Sequence, residues 1–134
     1  MKRTLFLSIL IVFFTTSLMS IVGCNNQNPK EVYDLQVRCG QQCDEYFKKE
    51  YGDGNIKERN GLWAHENHYN KKLNKCFILL DQFTGSKEKM LTEINENKIY
   101  GYYNGKSTTF CSMLEKKCKS EKEWDSLVKP YIEE

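Results

Sequence analysis

Hydrophobic and polar positions divide this chain into blocks of different period. An apolar run from Leu5 to Phe14 follows Lys2 and Arg3, and is extended by Leu18-Met19 and Ile21-Val22. Residues 25–30 are polar and show no apolar periodicity. From residue 31 to 51, Val32, Leu35, Cys39, Cys43 and Tyr46/Phe47 recur at three- and four-residue steps, which predicts a helix with one apolar face. Gly52-Asp53-Gly54 stops it, and Gly40 sits inside it.

The middle of the chain changes to strand patterns. Within Leu73 to Phe83, Cys76-Phe77-Ile78-Leu79-Leu80 is an apolar run of strand length, which suits a central strand. Thr84-Gly85-Ser86 breaks it. Met90 to Ile94 and Ile99 to Tyr103 flank Asn95-Glu96-Asn97-Lys98, a hairpin pattern, and Asn104-Gly105 is a further turn signal. Leu62 to Tyr69, after Asn60-Gly61, and Thr108 to Leu114 read as two more strands. Ser120-Glu121-Lys122-Glu123 is a capping box, and Trp124, Leu127, Val128, Tyr131 and Ile132 then mark one helix face. Pro130 is expected to end or kink that helix. The expectation for residues 31–134 is one α+β domain: N-terminal helix, four- or five-stranded antiparallel sheet, C-terminal helix, with both helices on one sheet face.

The first block is too short for a spanning helix, which wants about 20 apolar residues, and Thr15, Thr16, Ser17 and Ser20 weaken it further. A basic start, an apolar run and a small-residue cleavage site form a signal peptide. Ile21-Val22-Gly23-Cys24 resembles the lipobox of bacterial lipoproteins. That resemblance implies a signal peptide over 1–23, a diacylated Cys24 with an acylated amino group, and a polar tether over 24–30. It implies an exported, lipid-anchored protein whose first partner is the bilayer. Asn25, where an Asp would favour inner-membrane retention, leans towards the outer membrane in a Gram-negative cell. Tyr69 to Phe77, Cys118-Lys119-Ser120, Glu123-Trp124 and Lys129-Pro130-Tyr131 resemble small exported bacterial proteins of unassigned function.

Cutting 23 residues from the 134 leaves 111, enough for one modest core. The chain carries 20 basic and 18 acidic residues, and Lys2 and Arg3 leave with the signal, so the remainder is formally neutral. A neutral, well-mixed chain lacks the electrostatic footprint of a nucleic-acid binder.

With Cys24 assigned to lipid, five of the 6 cysteines remain: Cys39, Cys43, Cys76, Cys111 and Cys118. Export makes disulfides the default. Cys111 and Cys118 are close in sequence, and a bond between them would pin the last strand to the C-terminal helix. Cys39 to Cys76 would staple the first helix to the central strand, leaving Cys43 free, although Cys39 and Cys43 could exchange places. A redox reading of Cys39-Gly40-Gln41-Gln42-Cys43 meets the wrong spacing, CxxxC in place of CxxC, and no βαβ context. Asp44 stands where covalent haem attachment needs a His.

His65-Glu66-Asn67-His68 is the only histidine cluster, and on a strand its two imidazoles point to opposite faces, so no metal is expected there. Tyr100 and Tyr102 should share a sheet face opposite Ile99, Gly101 and Tyr103. They serve either as strand formers in the core or as a binding face. No catalytic dyad, nucleophile elbow or phosphate loop is present, and no cofactor is implied. The expected function is a non-enzymatic lipoprotein that binds an envelope protein or the cell wall. The rival readings are an envelope inhibitor or small-ligand binder, and a thiol-active protein using Cys39 and Cys43.

Overall fold

The computed structural model describes residues 28–56, 61–106 and 110–133. The signal segment, Cys24, the tether up to Gln27, Asn60, and Thr108 of the last expected strand lie outside the described residues. Helix α1 spans Pro29–Tyr51. The Asn28 side chain accepts from the Lys30 amide at 3.1 Å, and Pro29 occupies a first-turn position where its missing N–H is harmless. The helix therefore takes Pro29 and Lys30 out of the expected tether. It stops at Gly52, whose N–H still donates to the Lys48 carbonyl and whose positive φ of 60° then turns the chain out of the helix.

Among the described residues seven strands follow: β1 (Asn55–Ile56), β2 (Gly61–Asn70), β3 (Lys75–Gln82), β4 (Glu88–Glu93), β5 (Lys98–Asn104), β6 (Cys111–Met113) and β7 (Lys116–Lys117). Each pairs antiparallel with the next, so the sheet is a meander in chain order. Helix α2 (Glu121–Ile132) closes the fold. The α+β class and the disulfide staples are as expected, but the sheet has more than four or five strands. The added strands, β1 and β7, are two residues long, too short to carry a period-two signal.

The two helices cover opposite faces, which corrects the expectation that they share one. Cys76, Ile78 and Leu80 point from β3 towards α1 and pack with Cys39, Cys43, Tyr51 and Trp63. Phe77 points the other way and packs with Leu91, Met113, Trp124 and Val128 beneath α2. This is why β3 is apolar at consecutive positions: a strand buried on both sides has no polar face. The continuous run Cys76–Leu80 carried that information.

The antiparallel meander gives the sheet two distinct ends. The turns β2–β3, β4–β5 and β6–β7 lie at one end, here the near end; β3–β4 and β5–β6 connect at the far end. Helix α1 runs antiparallel to β2, from the near end to the far end. Tyr51 lies against Trp63 with ring centroids 5.1 Å apart, and Phe47 stacks on His65 at 4.3 Å. Gly40 faces Asn67, and Cys39 bridges to Cys76, which pairs with Tyr69. The ten residues before Cys39 extend the helix about 15 Å further towards the near end. Asn28 therefore lies at the near end.

Helix α2 runs from the far end to the near end. Ser120 Oγ accepts from the Glu123 amide at 3.2 Å, and Glu123 Oε2 accepts from the Lys119 amide at 2.8 Å, one residue beyond the reciprocal bond of an ideal capping box. Pro130 does not end the helix, which continues to Ile132. The near-end carbonyls of Pro130 and Tyr131 are instead capped from the sheet: Asn70 Nδ2 donates to both, at 3.1 and 3.2 Å.

Candidate functional site

Three sulfur atoms meet beneath α1. Cys39 and Cys43 lie one helical turn apart, and β3 brings Cys76 up to both. Cys39 is bonded to Cys76, Cys111 is bonded to Cys118, and Cys43 is a free thiol. Its Sγ lies 3.6 Å from Cys76 Sγ and 3.6 Å from the Phe77 carbonyl oxygen. Its exposure is 0%. Burial, reinforced by the Asp44 carboxylate, pushes its pKa up to about 12.

The arrangement does not favour exchange chemistry. Thiolate attack on a disulfide is in line with the S–S bond, so an attacker 3.6 Å from Cys76 Sγ would lie about 5.6 Å from Cys39 Sγ, given a normal bond length. All three sulfurs lie within 4.8 Å of one another, so Cys43 is off that axis. The same three groups are close enough to share a soft metal ion, but the bridge uses two of the three thiolates as a disulfide.

The histidines are divided by the sheet. His65, on the α1 side, places Nε2 2.8 Å from Asp44 Oδ1 and its ring on Phe47. His68 pairs across with Phe77, and its Nε2 is buried with no hydrogen-bond partner among the described residues.

Tyr100 and Tyr102 do not form a shared face. Leu91 pairs with Gly101 but Thr92 pairs with Ile99, so Tyr100 is the extra residue of a β-bulge. A bulge breaks the two-residue alternation. Tyr100 thereby turns to the α2 side, where it makes edge contacts with Phe77 and Tyr131, with centroids 5.1 and 5.6 Å away. Tyr103 packs near Trp124 on that side too. Tyr102 remains opposite Met90 on the α1 side, where Asn104 Nδ2 donates to its hydroxyl at 3.4 Å. Tyr100 is thus part of the α2-side core, while Tyr102 belongs to neither core cluster and stands half-buried on β5.

Two groups escaped the sequence reading. Lys89 Nζ bridges from β4 to α2, 2.8 Å from Glu121 and 3.2 Å from Asp125, with the Trp124 ring beneath it. The partners are more than thirty residues apart, and no local pattern links them. The second group is apolar and exposed. Phe83 (62%), Phe110 (60%) and Leu62 (51%) all lie at the far end. Each adjoins a turn or strand end, and that adjacency was the available signal. The Leu62 amide donates to Thr84 Oγ1, and the Phe83 amide to the Leu62 carbonyl, so these two are held side by side.

No protein-family model, curated protein or solved structure matches the chain.

Proposed function

We propose that this protein is a lipid-anchored, non-enzymatic binding module of a bacterial envelope. It is exported, tethered through acylated Cys24, and lies at the outer membrane where the cell has one. The lipobox resemblance supports the anchor, and the two disulfides suit an oxidising compartment. No described helix is long and apolar enough to cross a membrane, so the described domain would depend on the lipid for attachment.

The observation that carries the binding role is the opposition of the two ends. Asn28 lies at the near end, while Leu62, Phe83 and Phe110 are exposed at the far end. A tether at the near end would present those three side chains away from the bilayer, towards an envelope protein or the cell wall. Leu62 and Phe83 are side by side there, with Phe110 further along the same end, and exposed aromatic and aliphatic residues are the anchors that such contacts use.

Two measurements test this. Intact mass of the protein from its native membrane should show acyl mass on Cys24 and loss of residues 1–23. A photo-crosslinking residue at Phe83 or Phe110 should capture an envelope component in cells, and one at Lys117 should not. Equal capture at all three positions, or none at the far end, would discard the far-end site.

A further inference from the structure

On the α2 side of the near end, a groove of about 880 Å³ separates the last turns of α2 from the β6–β7 turn. Met113, 3% exposed, forms its floor, and Tyr131 forms one wall. Ile99 (57% exposed) and Leu114 (46% exposed) stand at its rim, with Lys98 and Lys116 beside them. Leu114 is held at φ 52°, a left-handed conformation that a branched apolar residue adopts only against steric resistance. The β6–β7 turn thus keeps an aliphatic side chain outward where Gly or Asn would fit with less strain. Leu73, in the β2–β3 turn, is another exposed aliphatic side chain at this end.

The path of the chain says what this end meets. Only Asn25, Asn26 and Gln27 separate Cys24 from Asn28. Four extended steps reach about 14 Å, so an acylated Cys24 keeps the start of α1 within that distance of its lipid. Helix α1 projects about 15 Å past the Cys39–Cys76 level, so a domain leaning over on the α2 side of that projection brings Ile99 and Leu114 to the same bilayer surface. The lysines flanking them have long stems that let the ammonium groups remain among headgroups while the aliphatic residues go deeper.

We propose that the near end docks on the lipid surface. Ile99 and Leu114 enter the boundary between headgroups and acyl chains, and the groove behind them takes up an acyl tail. The docking rests on the anchoring of Cys24 proposed above. It adds a second contact that fixes the domain leaning on its near end, with Leu62, Phe83 and Phe110 at the end away from the membrane.

The test uses the full chain, processed in cells, purified from its native membrane and reconstituted in phosphatidylcholine vesicles with tail-brominated lipid. Ile99→Trp and Leu114→Trp each place an indole at the near end, and Phe83→Trp places one at the far end. The near-end variants should show blue-shifted emission, quenched by bromine at a depth of about 5–10 Å into the headgroup–acyl boundary. The far-end variant should show no quenching beyond that of the unsubstituted protein, which reports Trp63 and Trp124. Quenching at both ends, or at neither, overturns the docking. Intact mass of the same sample separates the two proposals. Acyl mass on Cys24 without near-end quenching sinks the docking alone; absence of acyl mass sinks the anchoring and the docking with it.

Discussion

At Cys43, burial and the neighbouring Asp44 carboxylate act in the same direction, and both oppose the thiolate. With a pKa of about 12, roughly one molecule in 10⁵ carries the thiolate at neutral pH, against a few per cent for a free cysteine. Alkylation of the folded protein at pH 7.5 should therefore be slow, and should become fast and stoichiometric at this one thiol in denaturant. Rapid labelling without denaturant would restore the thiol-active reading. The one-turn spacing of Cys39 and Cys43 leads to a second expectation. Cys76 has two possible helix partners, and Cys43 Sγ is already 3.6 Å away. In Cys39→Ala, peptide mapping should find a Cys43–Cys76 bond and almost unchanged stability. In Cys76→Ala both partners lose their bond, at a cost of about 4 kcal/mol for a loop of this length. Two free thiols in Cys39→Ala would show that the α1 backbone cannot deliver Cys43 to Cys76.

Helix α2 has only twelve residues, so it depends on what holds its ends. At the near end, Asn70 is 1% exposed, donates to two α2 carbonyls and accepts from the Leu73 amide. Asn70→Ala leaves those groups without partners and should cost about 2–3 kcal/mol in urea unfolding. Asn70→Asp should cost more above the carboxylate pKa, because it aims a negative charge at the negative end of the helix. A milder effect for Asp than for Ala would show that the side chain acts by filling space. At the far end, Lys89 ties β4 to α2. Burial lowers its pKa, but hydrogen bonds to Glu121 and Asp125 outweigh that, and the net shift is upward. Its stabilisation is thus complete below the ordinary lysine value and is lost only as pH rises through the folded one. Glu121 shows the opposite shift, held down chiefly by the Lys89 hydrogen bond, so its contribution is present above the ordinary glutamate value and is lost as pH falls through the folded one. Asp81 is raised, first by burial, with Lys89 as the opposing cation, so its ionisation works against the fold once pH passes the ordinary aspartate value. Lys89→Met should therefore destabilise at pH 7, and the penalty should shrink as pH falls below the ordinary glutamate value and the Glu121 carboxylate protonates. A penalty constant from pH 3 to 7 would mean that the lysine acts only through packing of its stem on Trp124.

On the scale of the whole molecule, the legible features were local and the illegible ones depended on long-range placement. Turn signals at Thr84-Gly85-Ser86 and Asn95–Lys98 located the hairpins, and Ser120 located the start of α2. The bulge at Tyr100 was invisible, since alternation is assumed wherever a strand is read, and it took the Tyr100/Tyr102 face with it. The groove was invisible for a related reason: its walls come from β5, the β6–β7 turn and α2, which only the completed sheet brings together. The two-sided core was legible in β3 but was read only as a central strand. That core leads to the last prediction. Cys76, Ile78 and Leu80 belong to the α1 face and Phe77 to the α2 face, so one strand supplies both cores. Loss of β3 exposes both, and the faces should unfold as one cooperative unit. Trp63 reports the α1 face and Trp124 the α2 face. Trp63→Phe leaves only the second reporter, and Trp124→Phe only the first. Adding Cys76→Ala to each removes a bridge that lies wholly on the α1 face. A loss of about 4 kcal/mol, at about 1–3 kcal/mol per molar urea, should lower both midpoints by the same amount, about 1.3–4 M. If the midpoint falls for the Trp63 signal and stays in place for the Trp124 signal, the faces melt separately, and β3 does not couple α1 to the rest of the sheet.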